Sequence, residues 1–262
     1  MKRAMTIAGS DSGGGAGIQA DLKTFAAHGV FGTCAVTALT AQNSLGVQGV
    51  FEVPADFVAL QIDSIASDIG ADAVKIGMLS NSGIIAVVAA KIVERSLGPI
   101  VLDPVMVAKG GDRLLREEAE EALIRGLLPL ATVVTPNLPE AEVLCGFAIG
   151  GIGDMRAAAR AIRALGPGAV IVKGGHLKDR NDSVDILFDG EDFVEYPAPR
   201  VDSRNTHGTG CTFSSAIAAS LALGLPLREA VRSAKAYVAR IIAASVELGI
   251  GHGFGPMDHM AR

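Results

Sequence analysis

The sequence predicts an α/β protein whose central, mostly parallel sheet is covered by helices on both faces. Three observations carry this. Short runs rich in β-branched residues alternate with longer amphipathic runs along the whole chain, which is the pattern of repeated βα units. Some of the short runs, IVL before Asp103 and VIV before Lys173, are apolar throughout, as strands covered on both sides must be. Polar and glycine-rich segments follow the strands, where open α/β sheets take their ligands.

Taken in order, 4–8 is the first strand; a glycine loop follows and then a helix over 19–27. Further strands are expected at 33–37, 50–53, 73–76, 100–102, 132–134 and 169–172. Helical spacing places helices between them at 55–67, 83–96, 117–127, 138–145 and 155–165. The runs 184–188 and 193–196 are separated by DGED, which reads as a hairpin and makes the sheet mixed. Two alanine-rich helices, 210–223 and 227–248, close the chain, divided by GLP. GGIGD at 150–154 is the most flexible-looking joint, but it lies inside the alternation, so one domain over 1–262 is expected.

Composition narrows the class. The 262 residues are 49% hydrophobic and 19% charged, with 32 glycines and no tryptophan: a soluble globular balance, far from disordered or fibrous chains. A chain of this length buries roughly three-quarters of its unfolded surface, so neither disulfide nor structural metal is needed. The net charge of −5 offers no broad positive field for nucleic acid or an anionic membrane. Cys34, Cys145 and Cys211 show no CxxC spacing, which points to reduced thiols and a cytoplasmic protein. The N-terminus reaches a polar glycine run too early for a signal-peptide core, and no apolar run approaches the roughly 18 residues of a membrane span.

The segments that could carry chemistry are GSDSGGGAGIQAD (9–21), LDPVMVAKGGD (102–112), TPNLPEAE (135–142), IVKGGH (171–176) and THGTGCTFSS (206–215). The first, between strand and helix, offers close backbone approach and free helix N-terminal amides to a ligand. In the last, Gly208 and Gly210 open a long helix whose amides and dipole suit an anion such as a transferring phosphoryl group. Cys211 sits in that helix's first turn, a place that lowers a thiol pKa and makes a base or nucleophile of it. Asp103 ends an apolar strand and could hold hydrated Mg²⁺, with the loop around Lys109 closing over it. Asn137 and Glu140 could form a helix cap and, by the same geometry, support a metal–phosphate cluster, the two readings being compatible. Lys173 could reach a nucleotide phosphate. The Gln42 amide, donor and acceptor side by side, matches the edge of an aminopyrimidine ring. Lys75, His28 and His207 read as structural or solvent-facing and receive no chemistry.

Together AGSDSGGGAGIQADLKTF, TALTAQNS, KIGML, VLDPVM, TPNLPEAE, VKGGH and NTHGTGCTFSSA resemble the hydroxymethylpyrimidine and phosphomethylpyrimidine kinases of thiamine synthesis, members of the ribokinase-like superfamily. The resemblance runs from residue 4 to the GHGFGP near residue 255. It implies a three-layer α/β/α sandwich, usually dimeric, that uses ATP and Mg²⁺. It implies phosphorylation of 4-amino-5-hydroxymethyl-2-methylpyrimidine, then of the monophosphate to the pyrophosphate. By motif position Gln42 would recognise the pyrimidine, with Ala16, Asp21, Met78 and Val105 shaping the pocket. Gly208, Thr209, Gly210 and Cys211 would form the anion hole, Cys211 standing where most ribokinase-like enzymes carry an aspartate base. Asp103 and Glu140 would organise Mg²⁺, and Asn137, Lys173 and Thr206 would face ATP. Two alternatives stay open: a pyridoxal kinase, whose substrate is another aromatic ring bearing a hydroxymethyl group, and a pyrimidine sensor without turnover.

Overall fold

The computed structural model describes residues 1–106, 117–177 and 182–261. Its strands in chain order are β1 (Arg3–Asp11), β2 (Phe31–Asn43), β3 (Gly46–Glu52), β4 (Ala73–Ile76), β5 (Ile100–Leu102), β6 (Val133–Val134), β7 (Val170–Val172), β8 (Asp182–Phe188) and β9 (Phe193–Pro199). The helices are α1 (Gly17–Ala27), α2 (Ala55–Asp68), α3 (Ser82–Glu94), α4 (Glu117–Ala122), α5 (Leu138–Cys145), α6 (Ile152–Arg163), α7 (Thr209–Ala222) and α8 (Leu227–Ala244).

Among the described residues the strands form one sheet in the order β3-β2-β1-β4-β5-β6-β7-β8-β9. The run from β2 to β7 is parallel, and β3, β8 and β9 each pair antiparallel to their inner neighbours. β8 and β9 are the hairpin that DGED marks. The other antiparallel edge is longer than the sequence indicates, because β2 runs on to Asn43 and β3 folds straight back, with Asn43 opposite Gly46.

Successive strand residues face opposite helix layers, as a pleated strand requires. Ile100, Leu102, Val170 and Val172 join the core under α2 to α6. Val101 and Ile171 join the other, under α1, α7 and α8. The second layer is built on small residues: Ala4 and Ala73 of the sheet face Ala216, Ala218 and Ala219 of α7, so that helix lies close on the strands.

Three helix ends differ from expectation for local reasons. The helix expected over 117–127 is regular only to Ala122; Leu123–Leu127 widens to a π turn and Leu128–Leu130 tightens to a 3-10 turn at Pro129, which cannot continue a helix. α6 begins earlier than 155, because Asp154 turns back to accept the Gly150 N–H at 2.9 Å. α8 stops at Ala244, where Ser245 Oγ donates to the Ile241 carbonyl and the Asn205 amide takes the Ser245 carbonyl. No helix of the described residues is long and apolar enough to cross a membrane.

β1 lies between β2 and β4, so the chain order reverses beside it. Such a switch point opens a crevice at the carboxyl ends of the strands, and the polar segments converge there.

Candidate active site

A cavity of about 640 Å³ opens over the ends of β1, β4, β5, β6 and β7. Its first wall is the loop after β1. Asp11 Oδ1 accepts the Gly13 N–H at 2.8 Å, and Oδ2 accepts those of Gly15 and Ala16 at 3.0 and 2.8 Å. The loop amides expected to meet a ligand are therefore largely taken by Asp11, and the loop folds around its own carboxylate. His207 Nε2 stands 2.9 Å from Asp11 Oδ2, and the Gln42 amide lies 3.2 Å from that same nitrogen.

The second wall is the start of α7. Gly208 has φ +79°, and a Cβ there would collide with the Gly15 carbonyl oxygen, so only glycine lets the two loops meet backbone to backbone. A Cβ on Gly210 would sit 3.2 Å from Lys173 Nζ and 3.3 Å from Asp103 Oδ2. The helix terminus thus faces the ion pair that Lys173 Nζ makes with Asp103 Oδ1 at 2.9 Å.

The floor comes from the residues that follow successive parallel strands: Asp103 after β5, Asn137 after β6, Lys173 after β7. Thr135 Oγ1 donates to Asp103 Oδ1 at 3.2 Å. Asn137 and Glu140 form a reciprocal capping box at the start of α5, with Asn137 N–H to Glu140 Oε2 at 2.8 Å and Glu140 N–H to Asn137 Oδ1 at 2.9 Å. Glu140 is buried, and this burial pushes its carboxyl well above the usual range; Lys173 opposes the rise and the like charge of Asp103 adds to it. Burial works to lower the Lys173 ammonium, but Asp103 and Glu140 outweigh it and hold it fully charged.

Two sequence expectations are corrected here. Cys211 is in the first turn of α7 and accepts the Gly17 N–H, yet its thiol pKa goes up, to about 11. Desolvation is the largest cause and prevails over the help of Lys75 and the amide, with the carboxylates of Asp21 and Asp103 adding to the rise. Asp21 does not reach the cavity. It lies fully buried beneath, where its oxygens accept Thr6 Oγ1 at 2.6 Å, Ser215 Oγ at 2.7 Å and Lys75 Nζ at 2.9 Å. Its partner Lys75 does line the cavity.

Gln42, Ala16, Met78, Val105, Thr206, Gly208, Thr209, Gly210, Cys211, Asp103, Asn137, Glu140 and Lys173 all line the one cavity. Lys109 lies outside the described residues. The sequence reading passed over Asp11, His207 and Lys75. Asp11 had a visible cue in the glycines that follow it, since a short carboxylate gathers such amides. Lys75 had one in being the single charge in an otherwise apolar AVKI strand. His28 remains structural, its Nδ1 against the Thr24 carbonyl at 2.9 Å.

The family model for phosphomethylpyrimidine kinase matches residues 11–258. The chain belongs to that family. A hydroxymethylpyrimidine/phosphomethylpyrimidine kinase of Rhizobium meliloti is 54% identical over 99% of this chain and 97% of its own length. The thiamine biosynthesis bifunctional protein of Geobacter sulfurreducens is 54% identical over 98% of this chain, which spans 52% of that longer protein. The solved pyridoxal kinase of Staphylococcus aureus, in complex with AMP-PCP and pyridoxal, superposes with a TM-score of 0.90 at 40% identity, covering 100% of this chain and 94% of its own. The fold is the ribokinase-like sandwich, and the family member described here is a kinase of thiamine biosynthesis.

Proposed function

We propose that this kinase transfers phosphate from ATP to the hydroxymethyl group of 4-amino-5-hydroxymethyl-2-methylpyrimidine, and then a second phosphate to the monophosphate. The observation that carries the reading is one cavity lined by Gln42, Met78 and Val105 and also by a helix terminus set against the Lys173–Asp103 pair. The amides from Gly208 to Cys211 would receive the transferring phosphoryl group, where fixed N–H dipoles favour the charge that develops. Lys173 and Asn137 would hold the ATP phosphates. The apolar lining residues Val201, Val238 and Ile242 would take the adenine.

Among the described residues no set of three His, Cys, Asp or Glu side chains forms a metal cage. The donors present fit a different kind of metal site. Asp103 and Glu140 are two hard carboxylates beside the one ammonium of Lys173, and Mg²⁺ typically binds through one or two carboxylates plus phosphates and water. Bound there, it would supply charge neutralisation of the phosphates.

Cys211 would accept the hydroxyl proton late. With a thiol pKa near 11 little thiolate stands ready, so alignment and charge stabilisation carry most of the rate. Exposed Leu39, Phe51, Phe57 and Leu60, at the β2–β3 edge and on α2, would be covered in a homodimer, and three free cysteines accord with the cytoplasm.

The likeness to the Staphylococcus aureus pyridoxal kinase makes pyridoxal the second substrate to weigh. ADP release measured in parallel with the hydroxymethylpyrimidine, its monophosphate and pyridoxal tests the reading. The expected order places both pyrimidines above pyridoxal, with activity lost without Mg²⁺ and a weakened Mg²⁺ dependence in Asp103→Asn and Glu140→Gln. Binding of the pyrimidine without ADP release under Mg²⁺ and ATP would make the protein a sensor and overturn it.

A further inference from the structure

We propose that Asp11 and His207 are positioning residues that fix which way round the Gln42 amide faces, and thereby select a ring whose amino group and adjacent ring nitrogen match that orientation. The inference rests on the reading of Gln42 as the ring-recognising residue and deepens it.

The donors and acceptors around the amide set its orientation. Asp11 is buried and accepts three backbone N–H groups. Burial pulls its carboxyl pKa up, but the hydrogen bonds from His207 and from the Ala16 and Gly13 amides hold it below the ordinary range, so it is a carboxylate with nothing to donate. The hydrogen between it and His207 is therefore on His207 Nε2, 2.9 Å away. That nitrogen then has no lone pair for Gln42 Nε2, which is placed 3.2 Å from it, so the amide is to be turned end for end, with its oxygen there sharing the one N–H that also reaches Asp11. The other end of the amide gives the same answer. Thr40 Oγ1 donates its single proton to the Ser10 carbonyl at 2.9 Å. Its proton thus spent, it can only accept from the amide atom 3.1 Å away, which is placed as Oε1; the same end-for-end turn that His207 requires puts the NH₂ on the Thr40 side.

Each of these contacts uses one lone pair of the amide oxygen and one hydrogen of its nitrogen. The second of each is left for a ligand, as an acceptor on the His207 side and a donor on the Thr40 side. The His207 ring cannot swing away cheaply, since its backbone N–H donates to the Gly255 carbonyl at 3.0 Å and Gly15 packs against its Cδ2 edge. A 4-aminopyrimidine offers an amino donor beside the carbon bearing the hydroxymethyl group, then a ring-nitrogen acceptor. Pyridoxal offers an aldehyde oxygen at the place of that amino group, an acceptor facing an acceptor. The network therefore discriminates between two rings of nearly the same size.

The test is steady-state kinetics with the hydroxymethylpyrimidine and pyridoxal on wild type, His207→Phe, His207→Gln, Thr40→Val and Gln42→Ala, each checked for an intact melting transition. His207→Phe removes the donor and frees the amide to turn. The expected result is a rise of about 10- to 100-fold in pyrimidine KM, a smaller change or a fall for pyridoxal, and a kcat and ATP KM within about twofold of wild type. His207→Gln, whose amide carries a donor to the same place, restores most of the selectivity. Thr40→Val, at the other end of the amide, shifts the ratio in the same direction as His207→Phe and stands in should that variant not fold. If pyrimidine and pyridoxal kcat/KM change together, or their ratio moves less than about threefold in both His207→Phe and Thr40→Val, the positioning inference is overturned. If Gln42→Ala itself leaves the pyrimidine KM unchanged, the recognition reading beneath it has failed instead.

Discussion

At the scale of single residues, Cys211 shows how a first-turn position and burial compete. A helix N-terminus stabilises a thiolate, and Gly17 adds an N–H, yet desolvation among Asp21 and Asp103 prevails and leaves the thiol near 11. At pH 7 only about one molecule in 10⁴ carries the thiolate. Cys211→Ala is therefore expected to lower kcat by roughly 10²-fold, the low end for a general base, with ATP KM nearly unchanged. Iodoacetamide should modify Cys211 slowly at pH 7 and faster as pH rises beyond 9, read by mass spectrometry with Cys34 and Cys145 replaced. Rapid labelling at neutral pH would contradict the raised pKa.

At the scale of elements, β4, α1 and α7 are tied together by the Lys75–Asp21 pair, both side chains fully buried. Asp21 retains two hydroxyl donors whatever happens to Lys75, but removing the ammonium strands a buried negative charge. Lys75→Met is expected to cost about 3 to 5 kcal/mol in a urea melt, and Lys75→Met with Asp21→Asn much less. Equal losses in the single and double variants would show that the ion pair does not couple these elements. The same elements show what was legible in the sequence. β4, β5 and α5 lie where periodicity places them, because each has an unambiguous edge: apolar runs end at Gly77 and Asp103, and Asn137 with Glu140 spells out a cap. The length of β2 and its return as β3 left no such edge, since TALTAQNS continues without a breaker. The local cues at Asp11 and Lys75 could not tell that His207 would meet the first or Asp21 the second, because those partners lie far off in the chain.

Across the whole molecule, the C-terminal segment closes over the α1–α7–α8 layer through His259, which is buried and lies 2.9 Å from Thr212 Oγ1, with its carbonyl accepting from Tyr237 Oη at 2.8 Å. Burial pushes the imidazole down to about 4, so the folded protein keeps it neutral where the unfolded chain, near 6.5, would protonate it. Between these values the unfolded state binds more protons. Stability should therefore be level on this account above pH 6.5 and fall by roughly 3 kcal/mol as pH drops to 4. His259→Gln should flatten that slope in urea melts taken across the range; an unchanged slope would assign it to other groups.

The helix that carries the Gly208–Cys211 terminus is also the one wrapped on every side: from Thr212 to Ala222 all but Leu221 are buried, against the sheet, α1 and α8. That placement has a consequence in time. Amides at the centre of such a helix exchange with solvent only when the whole fold opens, so in deuterium α7 should be among the last segments to label and the β2–β3 edge among the first. The terminus proposed to receive the phosphate would then stand on one of the slowest-opening parts of the molecule, with the more mobile elements moving toward it.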